Sequence, residues 1–220
     1  MITTRDITQY SKQYAQAYPY PHIVLDDLFL EEDLREILEE WPEDDGWIKK
    51  KCSTSWKWHI PHVPDMGPKT QKAFQSLNSP EFIMDIEKLT GIPDLIRDPY
   101  MEGAGLHYIP EGGYLKVHVD FNWHPQIQKV RRVNILIYLN ENWAEEDGGE
   151  IELWEPNMNK CGAKVGPAFN RTVIFNTTEH SWHGHPDPAT NRRKSIALYY
   201  YSSGAVKKAH STIYVKRPKK

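Results

Sequence analysis

His118 and Asp120 stand two positions apart in His118-Val119-Asp120, and His183 follows 65 positions later inside Ser181-Trp182-His183-Gly184. On a strand, side chains alternate between faces, so His118 and Asp120 point the same way while Val119 points into the opposite layer. Two imidazoles and one carboxylate make a facial set of ligands for non-haem Fe(II). Such a set holds one side of the metal and leaves the other open for O₂ and a co-substrate. The same residues also fit an ordinary amphipathic strand. Tyr114, Lys116, His118 and Asp120 then form a polar face in water, and Leu115, Val117, Val119 and Phe121 an apolar one. The rest of the chain has to decide between these readings.

The elements that must position these residues lie after about residue 100. Short runs of β-forming residues recur there at 106–109, 114–121, 130–139, 150–154, 172–175 and 194–201, punctuated by Gly112-Gly113 and Gly148-Gly149. Six or more strands of this size suggest a sandwich or jelly roll, which limits exposed sheet edges. The N-terminal part is mixed. Tyr10, Tyr14 and Tyr18 recur at four-residue spacing, as a short helix with an aromatic docking stripe would place them. Residues 23–29 read as a strand. Residues 31–41 read as a helix with Leu34, Ile37, Leu38 and Trp41 on one face, an acidic first turn and a stop at Pro42. The segment 47–60, with Trp56-Lys57-Trp58, reads as an irregular strand. A second helix is predicted from a Ser79 cap and Pro80 through Phe82, Ile83, Ile86 and Leu89 to Gly91.

Composition narrows the field further. A chain of 220 residues with 39% hydrophobic residues can bury one large core. We therefore expect one domain over 1–220: an N-terminal support over 1–100, a catalytic core over 101–203, and a C-terminal strand and basic tail over 204–220. Lys+Arg 27 against Asp+Glu 30 gives a net charge of −3, which offers no overall basic field for nucleic acid. The basic block Lys216-Arg217 with Lys219-Lys220 reads as a solvated, frayed end. Cys52 and Cys161 are too few for a disulfide framework and lack metal-site spacing, so they read as structural thiols. Neither a signal pattern nor an apolar run of membrane-spanning length is present, and the expected location is cytoplasmic, with no membrane partner.

Taken in order, several motifs resemble the Fe(II)- and 2-oxoglutarate-dependent dioxygenases of the prolyl 4-hydroxylase type. They are 108–114 (Tyr-Ile-Pro-Glu-Gly-Gly-Tyr), 118–120, Ile137-Tyr138-Leu139-Asn140 before Trp143, and 148–153. Beyond these come Thr172-Val173-Ile174-Phe175, then 181–184 and Arg193-Lys194-Ser195-Ile196. The run covers about residues 80 to 202. What the resemblance implies for the fold is mainly β with flanking helices: a double-stranded β-helix, a distorted jelly roll with the metal inside its mouth. It implies His118, Asp120 and His183 as iron ligands and catalytic centre. It also places a basic residue about ten positions after the second histidine, to hold the far carboxylate of 2-oxoglutarate. Arg193 stands there, and a guanidinium fork fits a carboxylate. Arg192 is a rival one position away. Tyr138 matches a tyrosine that shares that carboxylate, and Tyr108 one lining the same pocket; both also fit half-buried sheet tyrosines.

The implied cofactors are Fe(II), 2-oxoglutarate as co-substrate and O₂, with ascorbate as a further candidate. The implied reaction is hydroxylation of an unactivated C–H bond, with release of succinate and CO₂. Asp120 fits that outcome, because related halogenases carry a small residue there to admit chloride. A prolyl residue in a peptide or protein is the first candidate substrate. Free amino acids, sugars and other metabolites stay open, as do two readings of other classes. One is a binding module that kept the fold and lost the chemistry; the other is a cupin-like metal protein without 2-oxoglutarate. The filled ligand positions speak against the first, and Arg193 with Tyr138 against the second. His180 precedes the motif of His183. His185 would share the face of His183 if the strand ran on, but Pro186 argues that it has ended. His124, in the loop after Asp120, fits a pocket entrance and an ordinary loop equally. Residues 121–129 with Trp123 and the basic Arg131-Arg132 behind them, and the aromatic segment 47–58, are the candidate walls of a substrate entrance. His22, His59, His62, His107 and His210 receive no role.

Overall fold

The computed structural model describes residues 1, 3–43 and 46–218. Its elements run α1 (Ser11–Gln16), β1 (His22–Asp26), α2 (Glu31–Glu39), β2 (Ile48–Lys51), β3 (Ser55–Ile60), α3 (Pro68–Leu77), α4 (Pro80–Thr90), β4 (Ile96–Arg97) and β5 (Gly105–Ile109). They continue with β6 (Tyr114–Val119), β7 (Trp123–His124), β8 (Lys129–Tyr138), β9 (Ile151–Trp154), β10 (Cys161–Val165), β11 (Arg171–Asn176), β12 (His183–His185), β13 (Arg193–Ser202) and β14 (Ile213–Tyr214). The strands form one antiparallel sheet in the order β1-β11-β8-β13-β5-β3-β6-β12-β9-β10. This is the double-stranded β-helix. One wall is β11-β8-β13-β5, the other is β6-β12-β9-β10, and β3 joins them by pairing with both β5 and β6.

The walls differ in what covers them. The outer face of β8 and β13 carries Val133, Ile135, Ile137, Ile196 and Leu198, all buried against Leu34 and Ile37 of α2, Phe74 and Leu77 of α3, and Ile86 and Leu89 of α4. Each such side chain contributes about 1.5–3 kcal/mol on leaving water. The alternate residues, Asn134, Leu136, Ser195 and Tyr199, face the interior cavity instead. Strands covered on both faces lose the hydrophobic–polar alternation of a half-exposed sheet, which is why β8 and β13 read as near-continuous apolar runs. A second cluster, with Tyr138, Ile151, Leu153, Val165, Val173 and Phe175, closes the far end between the walls.

The expected strands of the core are present with ends shifted by a residue or two. Helix α4 is capped as expected: Ser79 Oγ accepts from the Phe82 N–H at 3.2 Å, and Gly91 closes it at φ +71°. Four expectations are corrected. Segment 47–60 is a hairpin, β2 and β3, rather than one irregular strand. Helix α2 stops at Glu39, because Pro42 drives the residues before it out of helical geometry and Trp41 turns back to stack on Trp47 at 5.7 Å. Of the three tyrosines at four-residue spacing only Tyr14 lies within α1 and is buried, while Tyr18 beyond its end is 50% exposed. Arg217 in the basic tail is not free in water; it pairs with Glu152 Oε1 at 3.0 Å and with Asp187. Lys219 and Lys220 lie outside the described residues.

Strand β3 reaches its place between the walls through one close approach. Gly105, at φ +116°, lets the chain of β5 pass the Ile60 carbonyl of β3; a Cβ there would stand 2.0 Å from that oxygen. The pairing of Ile60 with Leu106 and of His59 with His107 depends on this approach.

Candidate active site

The cavity between the two walls measures about 70 Å³ and is lined by polar side chains from six strands and apolar ones between them. His118 sits near the end of β6 and Asp120 just beyond it, where the chain leaves the strand; His183 opens β12. The two strands are neighbours, and His183 stands directly opposite His118. Register alone therefore brings residues 65 positions apart face to face. His118 Nε2 lies 3.4 Å from Asp120 Oδ1, His183 Nε2 lies 3.5 Å from Asp120 Oδ2, and one ligand atom from each residue falls within 4.8 Å of the other two.

The hydrogen bonds behind these groups decide what they can bind. His118 Nδ1 donates to the Lys116 carbonyl and His183 Nδ1 to the Ser181 carbonyl, each at 2.8 Å. A carbonyl only accepts, so the proton of each ring is held on Nδ1 and the Nε2 lone pairs face the convergence point. Burial, with His118 alongside, lowers the His183 imidazole to about 4, which keeps it neutral and able to ligate at neutral pH. Asp120 Oδ2 accepts from Asn134 Nδ2 at 2.8 Å and pairs with Arg131 Nη2 at 3.0 Å. Burial works to raise that carboxyl, but Arg131 and the two histidines hold it well below the usual carboxylate range. Arg131 is in turn fixed by Asn134 Oδ1 at 2.9 Å, and its guanidinium lies 3.4 Å from the centre of the Tyr199 ring. Two imidazole Nε2 atoms and an ionised carboxylate, each oriented from behind, are a donor set that fits a divalent iron.

Arg193, at the start of β13, is buried in the same cavity, whereas Arg192 is exposed on the outer surface. Arg193 Nε donates to the Gly149 carbonyl at 3.0 Å and Nη2 to the Tyr138 hydroxyl at 3.1 Å. Gly149, at φ +75°, lets that carbonyl close in; a Cβ there would stand 3.3 Å from Arg193 Cδ. Burial raises the Tyr138 phenol in spite of Arg193, so it stays protonated and its O–H can donate onward. Fork and hydroxyl together have the chemistry to accept a carboxylate.

The other candidates separate. Tyr108 does not line the cavity: it occupies the opposite face of β5 from His107, stacked against Trp58 at 5.1 Å and Trp47 at 5.7 Å. The alternation of β5 puts His107 inside in its place. His185 lines the cavity too, because β12 runs through it before Pro186. Two positions on β12 there span three on β6, a bulge that turns Leu115 inward and leaves Lys116 exposed. The strand's expected polar face is thus broken at Lys116. His124 is fully buried away from the cavity, with Nε2 at 3.1 Å from Asp98 Oδ1, and His180 is exposed. Trp123 lines a separate surface groove, whereas the aromatic hairpin supplies Lys57 to the cavity wall. Sequence reasoning missed Lys57, His107 and Asn134, and it set Arg131 behind the entrance loop, whereas Arg131 is buried against Asp120. The alternation of β3 sets Lys57 on the face opposite Trp56 and Trp58, and the pairing of β5 with β3 puts His107 on that same face. Cys52 is exposed at the hairpin turn, its thiol lowered to about 6 by hydrogen bonds to Thr54 and Ser55, and so is not a buried structural thiol.

Comparison with known proteins agrees with this geometry. Residues 104–201 match the family model of the 2OG-Fe(II) oxygenase superfamily. Among solved structures, a prolyl-4-hydroxylase from Pseudomonas putida is similar over 90% of this chain and 100% of its own, with 16% identity and a TM-score of 0.66. A prolyl hydroxylase from Trichoplax adhaerens, solved with a hypoxia inducible factor peptide fragment, covers 90% of this chain and 88% of its own at 18% identity and TM-score 0.62. HygX from Streptomyces hygroscopicus, solved with nickel, 2-oxoglutarate and hygromycin B, covers 83% of both chains at 14% identity and TM-score 0.52. At these identities the structural likeness speaks for the fold. Among the described residues no helix is long and apolar enough to cross a membrane.

Proposed function

We propose that this chain, whose residues 104–201 match the family model of the 2OG-Fe(II) oxygenase superfamily, hydroxylates an unactivated C–H bond, with a prolyl residue of a peptide or protein as first-choice substrate. The observation that carries the reading is the convergence of His118, Asp120 and His183 in one cavity with Arg193, whose guanidinium is held from behind by the Tyr138 hydroxyl. When bound, iron(II) and 2-oxoglutarate supply the oxidising chemistry: O₂ is reduced as 2-oxoglutarate loses CO₂ to give succinate, and one oxygen atom enters the substrate C–H bond.

The protein's own residues position and shield. His118 and His183 offer Nε2 because their Nδ1 protons are tied to carbonyls. Asn134 and Arg131 keep Asp120 ionised and aimed, so that it ligates rather than takes up a proton. Arg193 and the Tyr138 hydroxyl hold the far carboxylate of the co-substrate at the depth of the cavity. Ile109, Leu115, Leu136, Ile151 and Phe175 line the space between and exclude water from it. The prolyl assignment is supported by the likeness to the Pseudomonas and Trichoplax hydroxylases; the likeness to HygX supports a small-molecule substrate as the second reading.

Anaerobic addition of Fe(II) and then 2-oxoglutarate to the purified protein should give a weak visible metal-to-ligand charge-transfer band. Exposure to O₂ should then yield succinate, faster with a proline-containing peptide than with its alanine counterpart. Iron binding without the band would remove 2-oxoglutarate from the reading. A band with no difference between the two peptides would remove proline.

A further inference from the structure

The cavity holds more positive charge than its assigned ligands use. Lys57 projects from β3 into the space that His118, Asp120 and Arg193 line. Across the hairpin it stands directly opposite Lys50. The neighbouring positions lie on the other face of the hairpin. There Lys51 sits over the Trp56 ring at 3.4 Å and Lys49 over Trp58 at 4.4 Å, each matched by an aromatic partner. Among the described residues Lys50 and Lys57 have no such aromatic partner, and like charges facing across an antiparallel pair destabilise it.

Among the described residues, Lys57 Nζ makes no ion pair and no hydrogen bond. Asp120 is the sole carboxylate acting on it, and that group is already engaged by Arg131, Asn134 and two histidines. Burial lowers the Lys57 ammonium only to about 8, so it carries its charge at neutral pH. A divalent metal and a dianionic 2-oxoglutarate cancel one another. Lys57, Arg193 and Arg131 then stand against Asp120 alone, three positive side chains to one negative. A charge held half-buried without a partner is costly, so Lys57 on the wall of this cavity marks a place meant for an anion. A separate observation points to the same space: His185, 4% exposed and on the cavity wall, has an Nδ1 atom with no hydrogen-bond partner.

We propose that the primary substrate carries an anionic group, a carboxylate or a phosphate, which Lys57 and His185 hold inside the cavity beside the metal-binding triad. This rests on the triad being the metal site. Lys50, exposed at the rim on the same face as Lys57, extends the positive surface outward and steers such a group in. The inference narrows the substrate class. Within prolyl targets it selects those with an acidic or phosphorylated neighbour; within small molecules it selects acids and phosphate esters.

The test uses the full chain under anaerobic conditions with Mn(II) and saturating 2-oxoglutarate. Enhanced water-proton relaxation first reports Mn(II) binding. Inorganic phosphate and carbon-labelled acetate are then added separately, and the paramagnetic relaxation of each anion is read by NMR. The expected result is relaxation of at least one anion, weakened about tenfold or more in Lys57→Met, as loss of a charged hydrogen bond implies, and largely kept in Lys57→Arg. Stronger relaxation of acetate assigns a carboxylate substrate, and stronger relaxation of phosphate a phosphorylated one. The inference is overturned if neither anion is relaxed, or if Lys57→Met leaves the relaxation unchanged. It is equally overturned if that variant weakens 2-oxoglutarate binding instead, which would return the lysine to the co-substrate. Failure of Mn(II) to bind at the first step would remove the metal reading itself, and the anion proposal with it. Because Lys57→Met replaces a half-buried charge that has no ion pair among the described residues with an apolar chain of similar length, the variant is expected to fold.

Discussion

Replacing His118 with alanine abolishes Fe(II) binding and succinate formation together, while the barrel stays folded. The loss should exceed the roughly 10- to 100-fold effect that follows removal of a residue standing behind a metal ligand. Three protein donors converge within 4.8 Å. Asn134 and Arg131 behind them are hydrogen-bond donors that cannot replace an imidazole nitrogen, and His185, though on the same cavity wall, lies outside the convergent set. The structure also says why folding survives. His118 contributes one hydrogen bond to a carbonyl two residues away, and the strand keeps its pairing to β12 and β14 through the backbone. Far-UV circular dichroism reports the fold, and equilibrium dialysis with Fe(II) under argon reports the metal. Turnover at the native rate in this variant would end the assignment of the triad.

The second large effect is expected at Arg193. Its guanidinium makes two hydrogen bonds to protein, to the Gly149 carbonyl and the Tyr138 hydroxyl, and both hold it rather than neutralise it. The charge is thus available for a carboxylate. Removing one partner of such a buried charged pair costs about 2–5 kcal/mol, which is roughly a 30-fold or larger rise in the dissociation constant for 2-oxoglutarate. Arg193→Ala should therefore lose the charge-transfer band at limiting 2-oxoglutarate and regain it at high concentration, with iron affinity unchanged. Arg193→Lys should recover only part of the loss, since an ammonium keeps the charge without the fork. Unaltered 2-oxoglutarate affinity in Arg193→Ala would move the anchor elsewhere in the cavity.

The catalytic half was legible because its strands alternate with turn residues and its polar residues sit where apolar ones would otherwise be. Asp120 stands among Val117, Val119 and Phe121, and His183 and Arg193 stand in the ordered motifs at 181–184 and 193–196. Legibility failed where pairing, not local pattern, decides the face. Tyr108 and His107 are neighbours on β5, and nothing local says which one points inward; the pairing of β5 with β3 and β13 does. The bulge opposite His185 shifts the parity of β6 by one, so Lys116 and Leu115 exchange the places a regular strand would give them. Lys57 was hidden for a related reason. Segment 47–60 looked irregular because a tight turn at 52–54 reverses the chain within it. Helix α3 went unread although Thr70, Ala73, Phe74 and Leu77 carry the helical spacing, since Pro68 reads as a breaker unless it is recognised at a first turn.

The facing of His118 and His183 across β6 and β12 makes the bound ion a fastener as well as a reagent. A metal gripped by both strands ties together points 65 residues apart, and an unfolded chain has no matching arrangement to offer it. Ligand-dependent heat resistance follows by mass action. Free metal at a hundred times its dissociation constant adds about 2.7 kcal/mol to the folded state. For a chain of this size that is roughly 5–10 °C in melting temperature. Scanning calorimetry with Mn(II) and then with excess chelator should show that interval, and His118→Ala should melt at one temperature in both.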